Sequence, residues 1–257
     1  MTIVCEMIRD RADLVGTFGG STRLWASGGV HDVHQEYWLA LSGDSDVNLN
    51  LACCSSSDSA ILAKSCLQPL LDHGKPGIIM LAGLGLGTAQ LLADAGWVSI
   101  GAQPLMLLEP LSPERSASTG VRALAVDELD LARSVITDCF GISHASATTA
   151  IPDSMAERDD ITVWGLFDED QLVASVVVVE EDGLAVIWSM ATLPGSQGRG
   201  FGRRLLEVAL HDQLEKGATG SLLYSTEAGE KLYRALGYEV TEYIQMWSRP
   251  RWVLGLA

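Results

Sequence analysis

A glycine-rich segment near the C-terminus constrains the fold of this chain more than any other feature. Residues 197–202 read Gln-Gly-Arg-Gly-Phe-Gly and lie between an apolar run at 184–193 and a stretch with helical spacing of apolar residues. Glycines let a backbone approach a bound group closely, and the first N–H groups of a helix have no partner within it. The order predicts a strand, a turn that binds a pyrophosphate, and a helix. An ordinary strand-to-helix turn is the alternative.

The helix predicted after this segment has an apolar face and a basic first turn. Phe201, Leu205 and Val208 follow the spacing of a helix that packs on a sheet. Arg203 and Arg204 fall in the first turn, where positive charge opposes the helix dipole. Their position indicates a bound anion nearby, and a solvated pair of arginines is the alternative.

Two landmarks in this part of the chain resemble those of the GCN5-related N-acetyltransferases (GNAT). One is 190–194 followed by Gln197-x-x-Gly200-x-Gly202, similar to the family's strand end and Q/R-x-x-G-x-G/A turn. The other is 226–238, similar to the family's N-x-x-A-x-x-L-Y-x-x-L-G-F/Y segment. The resemblance implies the family's α/β fold, built on a mixed sheet. It also implies acetyl-CoA as cosubstrate and transfer of the acetyl group to a primary amine, on a small molecule or a peptide, by direct attack in a ternary complex.

The resemblance also assigns roles to individual residues. It places the pantetheine arm along the strand end and the pyrophosphate on the N–H groups of the turn. The cofactor-binding set that it implies is Met190, Ala191, Thr192, Gln197, Gly198, Arg199, Gly200, Phe201, Gly202, Arg203 and Thr226. Tyr233 is implied as the acid that protonates the departing thiolate, because a phenol with a reference pKa of about 10 is protonated at neutral pH. A helix tyrosine packed on the sheet is the alternative.

The chain departs from the family pattern at two positions. Thr226 stands where the family has an asparagine, and a threonine can cap a helix but lacks the two-sided contact of an amide. Ser221 stands where some members that acetylate protein N-termini have a glutamate as general base. Glu180, Glu181 and Asp182 on the preceding hairpin are candidates for that base, with water or simple solvation of the trio as alternatives.

An internal repeat relates the front of the chain to the back. Segment 91–100 matches 232–241 when Gly96 is aligned with Gly237, with one inserted residue farther on. Leu92 then stands where Tyr233 stands, and the front copy has no Q-x-x-G-x-G turn after its presumed cofactor strand, 47–53. We therefore expect two GNAT-like domains, as in tandem members of the family. Residues 1–113 would form a truncated, degenerate domain and 114–257 the catalytic domain, with 110–120 as a linker.

Patterning predicts the order β-α-α-β-β-β-α-β-α-β for 120–249.

The segment 83–87, Gly-Leu-Gly-Leu-Gly, is either a second dinucleotide loop or a glycine-rich helix entry. The spacing is not G-x-G-x-x-G, which favours the helix entry.

Composition limits the partners. With 33 acidic against 17 basic residues, the net charge of −16 argues against nucleic acid or an anionic membrane as partner. Five cysteines, an odd number, do not form a disulfide framework, and no signal segment or long apolar stretch is found, so we expect a reduced, cytoplasmic protein. His31, Asp32 and His34 lack further ligands at matching spacing, and we expect no metal.

A non-catalytic acyl-CoA sensor or a partner-binding protein is the alternative function. The sequence indicates neither the amine acceptor nor the oligomeric state.

Overall fold

A computed structural model describes residues 10–26, 28–112 and 118–253 of the chain. We call the described residues up to 112 the front half and those from 118 the back half. The front half contains α1 (Arg11–Ser21), α2 (Arg23–Ala26), β1 (Val30–Val33), β2 (Tyr37–Leu41), a 3-10 turn (Val47–Leu49), β3 (Asn50–Cys54), α3 (Ser59–Ile61), a π-helical segment (Leu62–Leu67), α4 (Gln68–His73), β4 (Ile78–Leu81), a 3-10 helix (Gly83–Thr88), α5 (Ala89–Asp94) and β5 (Val98–Leu108).

The back half repeats this order after an additional first strand. It contains β6 (Val121–Ala123), a 3-10 turn (Val126–Glu128), α6 (Leu129–Phe140), α7 (His144–Ala150), a 3-10 helix (Asp153–Glu157), β7 (Ile161–Asp168), β8 (Gln171–Glu181), β9 (Leu184–Thr192), a 3-10 turn (Pro194–Ser196), α8 (Phe201–Glu215), β10 (Gly220–Tyr224), α9 (Glu227–Ala235), β11 (Glu239–Ser248) and α10 (Pro250–Val253). This order matches the one predicted for 120–249. The domain boundary proposed at 113/114 lies outside the described residues.

The two halves exchange their last strands. The sheet has 11 strands in the order β1-β2-β3-β4-β11-β5-β10-β9-β8-β7-β6, so β5 lies inside the back half's sheet and β11 beside the front half's β4. At the centre, β5 and β11 pair antiparallel, with Tyr243 opposite Pro104 and Ile244 opposite Gln103. These reciprocal pairs relate the halves by an approximate twofold axis. The sequence predicts two domains side by side, whereas the structure has one continuous sheet.

The helix ends aligned by the repeat have the same hydrogen bonds. Trp97 N–H donates to the Leu92 carbonyl at 2.9 Å, and Tyr238 N–H donates to the Tyr233 carbonyl at 3.0 Å. Each helix is followed by a glycine with positive φ, as a helix C-terminus that turns back requires. Leu92 and Tyr233 therefore occupy corresponding positions.

Helices cover both faces of the sheet. On the first face, α1, α2, α6 and α7 pack in one apolar cluster that extends across both halves. On the second face, α8 and α9 cover the back half, and α4 and α5 cover the front half. Polar contacts also join the halves, because Ser146 and Thr149 of α7 donate to the Asp44 carboxylate at 2.7 and 2.9 Å. The two halves therefore share a packed interface and are not joined by the linker alone.

Candidate active site

The back half contains a fork between two parallel strands. β9 and β10 pair only as far as Ile187 and Leu223. β9 then continues to Thr192, while β10 ends at Tyr224. Just past the last pair, β9 has a bulge at Ser189, a non-glycine residue with φ of 49°. Bulges and left-handed residues carry strain and are concentrated next to functional sites.

Beyond the bulge, alternate residues of β9 present their backbone to the fork. Leu193 N–H donates to the Val173 carbonyl of β8 at 2.9 Å, so the period of two also turns the backbone of Ala191 toward β8. Met190 and Thr192 then direct their N–H and C=O groups to the fork. The Thr192 carbonyl accepts a hydrogen bond from the Gln197 side chain at 3.0 Å. Of the three strand residues expected to bind pantetheine, Ala191 is thus the one engaged with its own sheet.

The glycine turn lies against this strand end. Gly198 and Gly200 have φ of 75° and 79°, which a side chain would strain. A Cβ on Gly202 would lie 3.2 Å from Thr192 Oγ1 and 3.3 Å from Met190 Cε, so glycine permits the close approach of α8. Gly200 precedes α8 without a capping side chain, and the backbone N–H groups of 198–202 donate to no described residue. Such a row of N–H groups at a helix start is an anion site.

The arginines of the turn have partners in the protein. Arg199 Nη1 lies 2.8 Å from an Asp168 carboxylate oxygen, and Arg203 Nε lies 2.7 Å from Glu207 Oε1. The Nε of Arg204 is buried and has no partner among the described residues. The case for a bound anion at this turn therefore depends on the backbone N–H groups more than on the arginine side chains.

Tyr233 lies in α9, whose first turn Thr226 caps by accepting a hydrogen bond from Gly229 N–H at 3.3 Å. The Tyr233 ring meets the Tyr238 ring edge-on, with centroids 5.7 Å apart. Only 7% of Tyr233 is exposed, and this burial raises its pKa to about 12. Burial thus keeps the phenol protonated at neutral pH, which a proton donor requires.

Ser221, which stands where some family members have a glutamate base, has no group that could serve as that base. Ser221 Oγ donates to the Ala185 carbonyl at 2.8 Å and lies 2.6 Å from the Tyr238 hydroxyl. Both side chains are buried, so this polar pair is satisfied inside the core. Ser221 is therefore structural.

The acidic hairpin is at the wrong end of the strand for a base. Asp182 accepts a hydrogen bond from Thr17 at 2.8 Å, and Glu181 forms an ion pair with Arg23 of the front half. At about 3.3 Å per strand residue, Asp182 lies about 26 Å from Met190. The trio instead lines a cleft of about 940 Å³ between α1, the turn after β1 and this hairpin. This position does not favour the hypothesis that the trio supplies the general base, which stays a prediction.

Sequence reasoning overlooked an aromatic group at the fork. The Phe18 ring of α1 packs against the Trp188 ring at a tilt, with centroids 4.4 Å apart, and its centroid lies 5.9 Å from that of the Tyr224 ring. The Tyr224 hydroxyl is buried and has no partner among the described residues, and burial raises its pKa. A tyrosine that ends an apolar strand just before a helix cap was the available signal.

The corresponding place in the front half is closed. Ala82 N–H donates to the Cys54 carbonyl at 3.0 Å, so β3 and β4 do not separate as β9 and β10 do. A Cβ on Gly85 would clash with the same carbonyl, so the 3-10 helix at 83–88 covers the strand end. Asp58 caps the following helix by accepting from Ala60 N–H at 2.8 Å. The segment 83–87 therefore serves as packing and not as a phosphate turn.

Among the described residues, no group of three or more His, Cys, Asp and Glu side chains is arranged to hold a metal ion. His34 pairs with Asp32 at 2.9 Å, and His31 lies 3.2 Å from the Gly19 carbonyl. Within the same part of the chain, no helix has the length and apolar character needed to cross a membrane.

Comparison with known proteins supports the resemblance. The family described as Acetyltransferase (GNAT) domain matches residues 159–240, which include the fork, the turn and α9. Residues 159–240 therefore form a GNAT acetyltransferase domain, the domain of a class of acyltransferase enzymes.

One curated relative and two solved structures are also similar to the chain, and one of these structures shares its fold over most of the length. The Bacillus subtilis (strain 168) protein described as uncharacterized N-acetyltransferase YlbP is 29% identical over 82 residues, which cover 27% of this chain and 51% of that protein. The chain thus spans about half the length of this curated relative. A GCN5-related N-acetyltransferase from Kribbella flavida has a similar fold over 92% of this chain and 96% of its own, with a TM-score of 0.68 and 18% identity. The PaiA N-acetyltransferase from Thermoplasma acidophilum, solved in complex with coenzyme A, is 18% identical and covers 49% of this chain and 96% of its own, with a TM-score of 0.43.

Proposed function

We propose that this chain is an acetyl-CoA-dependent N-acetyltransferase that acetylates a primary amine by direct attack in a ternary complex. The observation that carries the proposal is the open fork of β9 and β10 beside a glycine turn whose N–H groups at 198–202 donate to no described residue. A diphosphate would satisfy these groups at the positive end of α8. The fork would take an extended arm with amide groups, which is the form of pantetheine.

The cosubstrate would contact two kinds of backbone. The N–H groups from Gly198 to Gly202 would hold the pyrophosphate, with Arg199 and Arg203 at its rim. Met190 and Thr192 would pair with the pantetheine arm, because their backbone groups face the fork. Gln197 would act indirectly by fixing the Thr192 carbonyl. Phe201 and Thr226 would have supporting roles, the first packing under the turn and the second capping α9.

The chemistry would then use a backbone donor and a phenol. The neutral amine nitrogen attacks the thioester carbonyl carbon, and Met190 N–H stabilises the negative charge that develops on the oxygen. As the C–S bond breaks, Tyr233 donates its proton to the thiolate. The proton lost by the amine passes to water, because the family's glutamate is replaced by the satisfied Ser221.

A binding test addresses the cosubstrate directly. Acetyl-CoA should raise the melting temperature of the wild-type protein, because a ligand that binds only the folded state stabilises it. Gly200→Glu should abolish this shift, because a side chain at φ of 79° strains the turn and a carboxylate repels the diphosphate. Gly141→Glu, at another glycine with positive φ at the end of α6, is the matched control. Equal acetyl-CoA affinity in the Gly200 variant and the wild type would place the cosubstrate elsewhere.

The competing function is a non-catalytic acyl-CoA sensor, which the missing glutamate favours. Release of free thiol when primary amines are added to protein and acetyl-CoA separates the two. Screening amines by thermal shift with acetyl-CoA present would identify the acceptor.

A further inference from the structure

An opening in the middle of the sheet lies beside the fork. β10 pairs with β5 only as far as Tyr224 and Leu105, whereas β5 extends back to Val98. β9 likewise extends past its last pair with β10. The β9 segment 188–192 and the β5 segment 98–103 therefore face each other with no described strand between them. We call this opening the slot.

The slot has the width of one extended chain. Neighbouring strands lie about 4.8 Å apart, so two strands that both flank β10 are separated by about 10 Å where β10 ends. A chain that continued the line of β10 at this spacing would lie within hydrogen-bonding distance of both walls. One wall comes from the back half and the other from the front half.

The backbone of Ala102 faces the slot. Ser225 N–H donates to the Pro104 carbonyl at 2.9 Å, which fixes the direction of Pro104 toward the β10 side. The next residue, Leu105, points the other way, because its carbonyl accepts from Thr241 of β11 at 3.1 Å. By the period of two, the N–H and C=O groups of Ala102 point to the same side of β5 as the Pro104 carbonyl. Ala102 is exposed, and over 98–103 β11 is the sole ladder partner of β5 among the described strands.

The other half of the molecule differs at the corresponding position. The reciprocal register of β5 and β11 makes Glu242 the counterpart of Ala102. The Glu242 carboxylate accepts a hydrogen bond from Gly83 N–H and so ties the 83–88 helix over the front half's strand end. Ala102 has no side chain that could reach across in this way. The slot is thus open in the half that has the glycine turn.

We propose that strand β5 of the front half forms the second wall of the acyl-CoA site, with the Ala102 backbone hydrogen-bonding the pantetheine arm opposite β9. This inference rests on the proposed function. The arm's amide groups can donate and accept on both sides, as a strand does. The front half is then a necessary part of the cosubstrate site even though its own copy of that site is closed.

Hydrogen exchange on the wild-type protein tests the second wall. Acetyl-CoA should slow exchange in peptides that cover 98–103 as well as those that cover 188–203. The probe 3′,5′-ADP, which lacks the pantetheine arm, should leave 98–103 unchanged. Protection by acetyl-CoA that is confined to 188–203 would overturn the inference and leave the proposed function standing.

A backbone substitution gives a second readout. Ala102→Pro removes the N–H that faces the slot, and the ladder with β11 remains because that N–H does not point toward it. Loss of one hydrogen bond should weaken acetyl-CoA binding by about 3- to 10-fold without changing 3′,5′-ADP affinity. The control Ala102→Val keeps the N–H and should bind acetyl-CoA within about twofold of wild type. Unchanged acetyl-CoA affinity in a folded Ala102→Pro variant overturns the inference. If that variant does not fold, the hydrogen-exchange experiment decides. Failure of the wild type to bind acetyl-CoA overturns the inference and the proposed function together.

Discussion

At the scale of single residues, burial decides what the tyrosines of the back half can do. Tyr233 and Tyr238 are each less than a tenth exposed, and Tyr224 has a buried hydroxyl. Burial raises the pKa of all three, because a phenolate loses its hydration in the core. Each phenol therefore stays neutral through the mildly alkaline range. The stability that these neutral groups contribute is fully present below the ordinary tyrosine pKa of about 10, and it is lost as the pH rises from there through the raised pKa of the folded state.

Tyr233→Phe tests the proton donor. The variant keeps the ring that packs against Tyr238, so the melting temperature and acetyl-CoA affinity should match wild type. The value of kcat should fall by on the order of 10²- to 10⁴-fold, the usual contribution of a positioned acid. Because the pKa of Tyr233 is raised to about 12, wild-type activity should show no loss from its ionisation at mildly alkaline pH. Steady-state rates across pH measure both effects, and a variant within twofold of wild type would make the tyrosine structural.

Tyr224→Phe and Tyr238→Phe form a matched pair for stability. The Tyr224 hydroxyl has no described partner, so its removal should leave the free energy of unfolding unchanged or raise it by up to about 1 kcal/mol. The Tyr238 hydroxyl lies 2.6 Å from Ser221 Oγ, and its removal should cost about 1 kcal/mol or more. Urea denaturation measures the difference. Equal losses in the two variants would mean that Tyr224 has a polar partner in solution.

At the scale of elements, local signals predicted the turn and the helices around it. Each of these signals determines the backbone of only a few neighbouring residues. The glycines at 198–202, the N-cap at Thr226 and the helix end at Gly237 all lie where the sequence predicts them. The exposure of the N–H groups and the packing of Tyr233 are also consequences of these local signals. The roles of the site residues remain predictions.

Longer-range features could not be predicted in this way. The bulge at Ser189 turns the backbone of Ala191 toward β8, and no pattern of residues in the sequence predicts this bulge. Asp168 pairs with Arg199 from a distant hairpin. The strand exchange pairs residues more than a hundred positions apart, and local periodicity does not encode which sheet a strand joins.

One element offers a native probe of the fork. Among the described cysteines, Cys139 of α6 is partly exposed and the other three are buried. Burial raises the pKa of the Cys139 thiol, and the nearby Thr192 N–H opposes the shift. Because Thr192 would pair with pantetheine, acetyl-CoA should slow alkylation of Cys139 by iodoacetamide at mildly alkaline pH, where the thiolate forms. Mass spectrometry of the labelled peptide measures the rate. An unchanged rate under saturating acetyl-CoA would place the pantetheine arm away from Thr192.

At the scale of the whole molecule, the exchanged strands join the two halves into one folding unit. Front-half residues are part of the same first-face core as α6 and α7, and ion pairs such as Arg23 with Asp160 at 2.6 Å cross between the halves. The halves should therefore unfold in a single transition. The net charge of −16 spreads over both and would favour a cationic amine near the surface.

One chain should bind a single acetyl-CoA molecule. Both halves have a strand, a helix and a second strand in the same order, but only the back half has the open fork and the uncapped helix start. In the front half, Ala82 N–H occupies the Cys54 carbonyl and Asp58 places a carboxylate where a phosphate would bind. Like charge and filled backbone groups both oppose an anion there. Isothermal calorimetry should therefore give one acetyl-CoA per chain, and Gly200→Glu should abolish all of the binding rather than half. A second site per chain, or half of the binding retained in the variant, would mean that the front half opens in solution.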